Sequence, residues 1–179
     1  HRAIRIEDEG PASEDYRLWS LNLGARGKPL YFLYAAAHGS EWEPGYGLLA
    51  FAQRIAEGQL DDVIDLTKVE IKIIPIVNPW GYDHMRRQNA QGVDLNRQGD
   101  FQWERFQGRD STKDGVWGPG DYDWKGAAPL SEPEARVYGK IAALPNLYCI
   151  LDYHGNTSVT SNKIGILPVV GHADNELMA

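Results

Sequence analysis

Two apolar runs constrain this chain more than anything else in it. Residues 30–37 and residues 147–153 are nearly unbroken in hydrophobic character, and each runs directly into a His-Gly pair, His38-Gly39 and His154-Gly155. A short continuous apolar run suits a strand buried on both faces, which requires a sheet covered by helices on either side. In open α/β sheets, sites gather outside the carboxyl ends of such strands. Both histidines stand at that kind of place.

The remaining elements fit the same frame. Residues 16–23 alternate apolar and polar side chains and predict a half-buried strand, and residues 24–28 read as a turn. Over residues 46–57 the period becomes helical, with Leu48, Leu49, Phe51, Ala52, Ile55 and Ala56 on one stripe and Gly58 as the stop. Residues 69–77 predict another strand, in which Pro75 is tolerable only near an end or a bulge. A second helix opens at Ser131-Glu132-Pro133-Glu134, where Ser131 and Glu134 have capping-box spacing, and stops at Pro145. Residues 164–170 suit one more strand. Residues 1–13 read as an irregular lead-in. The expected fold is a single α/β domain over residues 1–179, a mixed sheet flanked by helices.

Composition narrows the function classes. The 179 residues are 42% hydrophobic and 24% charged, ordinary for a globular chain, with a net charge of −7. That acidic balance, without a basic stripe, points away from nucleic acid. No apolar run approaches the roughly 20 residues that cross a bilayer as a helix, so no membrane partner is expected. The one cysteine, Cys149, lies in an apolar run and reads as a small buried hydrophobe. The compartment is left open by these residues.

The chemistry starts from the strand-end histidines. Glu41 follows His38 by three residues, across a turn that Gly39 permits. Two imidazoles and a carboxylate make a catalytic zinc set that leaves a fourth position for water. Taken singly, a strand-end histidine is an ordinary polar residue and His-x-x-Glu is a common pattern. Residues 78–125 form a long polar stretch rich in Gly, Asp and aromatic residues, among them Trp103, Trp117 and Trp124. Stretches this long in compact domains are functional or carry short elements of their own. Its tryptophans suit either loop packing or the lining of a cleft.

Two motifs in that stretch complete a set of four landmarks that fall in order along the chain: His38-Gly39-Ser40-Glu41-Trp42, then Asn78-Pro79-Trp80-Gly81-Tyr82, then Arg87-x-Asn89-x-x-Gly92-Val93-Asp94-Leu95-Asn96-Arg97, and last Asp152-Tyr153-His154. Together they resemble the zinc carboxypeptidase family, the carboxypeptidase A/B-like metallopeptidases, from about residue 28 to about residue 155. The resemblance implies a zinc-carboxypeptidase-like fold, one zinc ion held by His38, Glu41 and His154, and Asp94 as the carboxylate behind the first histidine. It implies that Arg87 is catalytic, polarising the scissile carbonyl, and that Arg87, Asn96 and Arg97 bind a peptide substrate by its free C-terminal carboxylate. The implied reaction is zinc-dependent peptide-bond hydrolysis.

Several departures from the family shape the expectation. The family's general-base glutamate lies far downstream of the third ligand, and Glu176, the one glutamate after His154, comes too soon to match it. The chain therefore reads as the N-terminal portion of a catalytic domain, incomplete at its C-terminus and inactive as it stands. A dimer or packing partner is expected over the sheet edge this leaves. Trp80 and Ser40 replace an acidic residue and an arginine of many relatives. Two other readings stay open: an N-acyl amino-acid deacylase of aspartoacylase type, and a non-catalytic peptide-binding pseudoenzyme.

Overall fold

The computed structural model describes residues 2–155. Five strands form one sheet: β1 (Arg5–Pro11), β2 (Arg17–Gly24), β3 (Leu30–Ala35), β4 (Glu70–Ile74) and β5 (Leu147–Tyr153). Their order is β1-β2-β4-β3-β5. β3 runs parallel to both β4 and β5, whereas β2 is antiparallel to β1 and β4. The sheet is therefore mixed, with the site-bearing strands β3 and β5 side by side.

Helices α1 (Glu43–Ala56) and α3 (Pro133–Ala142) cover opposite faces. α1 sets Leu48, Ala52 and Ile55 against Leu23, Leu33, Ala35, Ile71 and Ile73. α3 sets Val137 and Ile141 against Leu18, Leu30, Phe32 and Ile74. β3 has to be apolar on both sides because both helices pack on it. α1 begins three residues before the expected start, with Pro44 in its first turn, where its missing N–H costs nothing. Leu49, placed on the apolar stripe by periodicity, is exposed. Pro75 falls just past the end of β4, so no ladder bond is lost.

Three expectations are corrected. The lead-in at residues 1–13 is not irregular, since Arg5–Pro11 forms β1 and pairs along β2. Its half-buried side chains are the charged Arg5, Glu7 and Glu9, which is why an apolar period does not reveal it. Glu7 and Glu9 bond the buried Lys72 Nζ, at 3.3 Å for Glu7, and Ser20 joins the cluster. A charged edge strand of this kind also discourages strand addition.

The capping box does not form either. The α3 N-cap is Glu132, without a side-chain cap bond, and Ser131 Oγ donates to Glu132 Oε1 at 2.7 Å. Glu134 turns inward instead and is fully buried. It accepts the Ser13 N–H at 2.6 Å and Asn89 Nδ2 at 3.3 Å. Buried donors left unmade cost more than an exposed cap returns. Finally, Cys149 is only half-buried, because β5 is an edge strand among the described residues. The strand expected at residues 164–170 lies outside the described residues.

Candidate metal centre

β3 ends at Ala35, and Ala36 takes a left-handed backbone (φ 56°) that turns the chain out of the sheet plane. Such a conformation costs a non-glycine residue roughly 1 kcal/mol or more and tends to occur at functional sites. A tight turn follows, in which the Glu41 N–H donates to the His38 carbonyl at 2.9 Å, so the His-x-x-Glu spacing brings both side chains to one side. Gly39 is required here: a Cβ on it would stand 2.0 Å from the backbone carbon of Gly81. That close approach joins the first landmark to the second.

Asn78 is the bracket between them, and sequence reasoning gave it no role. It is fully buried at the start of α2 (Pro79–Asp83), where its Oδ1 accepts the Gly81 N–H at 3.0 Å. Its Nδ2 donates to the carbonyls of Ala37 and Arg87, both at 3.2 Å. Asn89 does the same for the third landmark. It accepts the Val93 N–H at 3.0 Å and donates to Glu132 at 2.8 Å. Both asparagines stand in the landmarks, but the partners that give them their role are 40 or more residues away: Ala37 for Asn78, and Glu132 and Glu134 for Asn89.

The long stretch of residues 78–125 carries short elements as expected: α2 and 3-10 turns at Leu95–Arg97 and Trp103–Arg105. Its tryptophans form loop packing. Trp117 and Trp124 meet edge to face, and Lys125 Nζ lies 3.9 Å from the centre of the Trp103 ring.

At the ends of β3 and β5, His38, Glu41 and His154 converge. The two Nδ1 atoms are 3.2 Å apart. Glu41 Oε1 lies 2.8 Å from His38 Nδ1, and Glu41 Oε2 lies 3.0 Å from His154 Nδ1. One ligand atom from each residue falls within 4.8 Å of the others. Behind each ring stands a carboxylate: Asp94 Oδ1 at 3.1 Å from His38 Nε2, and Asp152 Oδ2 at 2.8 Å from His154 Nε2. An aspartate at each Nε2 favours the Nε2–H tautomer, and a neutral ring so placed turns its Nδ1 lone pair toward the Glu41 carboxylate. A cluster made only of acceptors calls for a cation. The spacing suits zinc, whose tetrahedral bonds of about 2.0–2.1 Å set donors about 3.3 Å apart.

Protonation is the substitute for that cation. Burial disfavours a charged His38, but the bonds to Asp94 and Glu41 outweigh it and hold its pKa above the ordinary value. Burial likewise opposes the charged form of His154, yet Asp152 and Glu41 raise it to about 9. Burial would raise Glu41, and the two imidazoles instead lower it to about 2. Asp94 is wholly buried and held below its usual value by His38, Arg87 and Arg97 against the cost of burial.

Arg87, Asn96 and Arg97 lie around this centre. Arg87 Nη2 and Nε bond Asp94 Oδ2 at 2.8 and 3.2 Å, and Nε also reaches the Tyr122 carbonyl at 3.0 Å. Its guanidinium lies over the Tyr122 ring, 4.1 Å from the centroid, and Nη1 stands 3.8 Å from Glu41 Oε1. Exposed Asn96 has Nδ2 3.2 Å from His154 Nε2. Arg97 Nη1 donates to the Asn96 carbonyl at 3.0 Å, and its buried Nε has no hydrogen-bond partner. Six of the seven residues singled out in the sequence therefore contact one another here, Arg97 adjoins them with its guanidinium over the Phe106 ring, and Asp152 joins them without having been given a role.

The family model of zinc carboxypeptidases matches residues 2–166 of the chain. No curated protein sequence matches it. Among solved structures, thrombin activatable fibrinolysis inhibitor is similar at 21% identity and a TM-score of 0.71, over 86% of this chain and 42% of its own. Carboxypeptidase A from Helicoverpa armigera is similar at 22% identity and a TM-score of 0.67, over 88% and 42%. An aspartoacylase family protein from Mesorhizobium loti is similar at 19% and 0.55, over 86% and 41%. At these identities the likeness is one of fold. The chain spans less than half the length of each of these three.

Proposed function

The chain belongs to the zinc carboxypeptidase family, and on that footing we propose that it contributes the metal-binding and carboxylate-binding part of a centre that hydrolyses peptide bonds near a free C-terminus. The observation that carries this reading is the convergence of two imidazole Nδ1 atoms and one carboxylate, with an aspartate beside each outer ring nitrogen. His38, Glu41 and His154 would hold one zinc ion, and Asp94 would fix the His38 ring. When bound, zinc lowers the pKa of a coordinated water toward about 7 and polarises a carbonyl.

The chain's own residues supply the rest. Arg87 is braced by Asp94, Tyr122 and the tyrosine ring, so its outer nitrogen is aimed at the ligand set without further ordering. A cation preorganised where oxyanion charge develops contributes about 3 kcal/mol. Asn96 and Arg97 sit one step further out and offer donors to a terminal carboxylate. The partnerless Arg97 Nε marks that side as short of an acceptor. At the described centre Glu41, Asp94 and Asp152 are each committed to an imidazole, so none of them is assigned the proton relay from water to the leaving amine. The outer edge of β5, where Tyr148 is 70% exposed, is where further polypeptide or a second copy would pack.

The test is zinc-dependent binding of a short peptide with a free C-terminal carboxylate, against its C-terminal amide and against an N-acyl aspartate. Binding of the free acid alone, lost in Arg97→Ala, supports the reading. Tighter binding of the acyl aspartate would favour the deacylase, and equal binding of acid and amide would overturn carboxylate recognition.

A further inference from the structure

We propose that Asp152 is a positioning residue that sets the tautomer of His154 and releases the Asn96 amide toward substrate, an inference that rests on the zinc reading above. Asp152 is the penultimate residue of β5, and His154 follows the strand's last residue, Tyr153, so the acid sits two positions before the ring it faces. Its Oδ2 lies 2.8 Å from His154 Nε2, and its side chain is only 6% exposed. Among the described residues His154 is its one ion-pair partner.

The surroundings make a merely structural role a poor explanation. Asp152 lies beside Tyr34 in the β3–β5 register, and the Tyr34 ring is stacked on Tyr138 with centroids 5.7 Å apart. Its second oxygen, Oδ1, is buried without a hydrogen bond of full geometry, and the nearby Tyr34 hydroxyl, pushed up in pKa by burial and by this carboxylate, gives it only partial compensation. A buried carboxylate with an unsatisfied oxygen weakens a fold unless something else requires it. What it does here is aim a ring.

The competition at His154 Nε2 shows how. Two groups face that nitrogen: the Asp152 carboxylate, which can only accept, and the Asn96 amide nitrogen at 3.2 Å, which can only donate. They ask for opposite protonation. The carboxylate bond is shorter and charge-assisted, roughly twice as strong as a neutral one, so the proton resides on Nε2. Two consequences follow together. The Nδ1 lone pair is left to face His38 and Glu41, and the Asn96 amide N–H groups have no acceptor on the ring and are free for a substrate carboxylate. Asp94 performs the equivalent service for His38, so each imidazole has its own acid.

The experiment measures zinc affinity by competition with a chromophoric chelator, records the visible spectrum of the cobalt-substituted protein, and follows thermal unfolding of the metal-free chain. It compares wild type, His154→Ala, Asp152→Ala, Asp152→Asn and Asp152→Glu. Loss of an outer partner of a metal-bound histidine lowers affinity about 10–100-fold, which is the loss expected for Asp152→Ala with an altered cobalt spectrum. Asp152→Asn, which fills the same volume, should lose about threefold or more on the same principle, and Asp152→Glu should recover part of the deficit left by alanine. If Asp152→Ala does not fold, the asparagine variant carries the test alone. Unchanged zinc affinity and cobalt spectrum in the folded Asp152 variants, with or without a drop in metal-free unfolding temperature, would overturn the inference. If wild type itself binds no zinc, the proposed function falls. If wild type binds zinc, His154→Ala does not, and the Asp152 variants match wild type, only the positioning role falls.

Discussion

His38 and His154 leave neighbouring parallel strands by the same His-Gly step, yet they are held in different ways. His38 lies three residues past the end of a central strand, beyond the left-handed Ala36, and is 4% exposed. Its acid, Asp94, comes from 56 residues away and is itself saturated by Arg87 and the Asn96 N–H. His154 ends an edge strand, its side chain is 21% exposed, and its acid is two residues away on the same strand. One imidazole is fixed by tertiary contacts between distant segments, the other by the strand it follows. The His38 half should therefore be coupled to global stability, and the His154 half mainly to the metal.

The largest effect expected is on zinc itself. His38→Ala and His154→Ala should each take bound zinc from about one per chain, the coordination of a single site, to near none by elemental analysis. Retention of zinc in either variant would break the pairing of the two strand ends. Next comes Asp94→Ala, which strands the Arg87 guanidinium and the His38 N–H in the interior. Breaking a buried pair from one side costs about 3–5 kcal/mol, read as a shift of the urea midpoint in the metal-free chain. Asp152→Ala should cost clearly less. Equal costs for the two would erase the contrast drawn between central and edge strand.

A pH titration sharpens the same contrast. The metal-free His154 pKa is raised to about 9, above the unfolded value of about 6.5. A group raised on folding stabilises fully below its unfolded pKa and loses that contribution as pH rises through its folded one. The urea midpoint of the metal-free chain should fall between about pH 6.5 and about pH 9, and zinc should flatten the fall. On the acid side, Glu41 is lowered to about 2, so its contribution is lost as pH drops from about 4.5 toward that value. A stability profile flat through the alkaline window would count against a protonated His154. The smallest effect belongs to Tyr122→Ala. An exposed cation–π contact contributes about 0.5–1 kcal/mol, so unfolding should shift slightly while zinc affinity stays as in wild type. A large loss of zinc there would mean that the tyrosine ring, more than Asp94, holds Arg87.

Legibility in the sequence follows the range of the interaction. The run at residues 147–153 predicted β5 to the residue, and the helical period at residues 46–57 found α1 apart from its first turn. Those elements bury a periodic apolar face, so their pattern is written locally. β1 was missed because it is stabilised by backbone pairing with β2 and by charges that meet Lys72 across the sheet. Glu134 was misread as a cap because its partners, Ser13 and Asn89, come from elsewhere in the chain.

The same division holds for the centre. The sequence by itself determined the identities of the converging residues, because His38, Glu41, Asp94 and His154 fall in spaced landmarks that few folds would produce together. It also determined that both histidines follow apolar strands, His154 directly and His38 after two further residues. Only the tertiary structure decided that the landmarks share one site, through the Gly39–Gly81 approach and the Asn78 bracket. It alone decided which nitrogen of each ring faces inward, because that depends on where Asp94 and Asp152 stand in space. Proton position is a property of neighbours within 3 Å or so, and such neighbours are set by strand register and loop closure rather than by spacing along the chain.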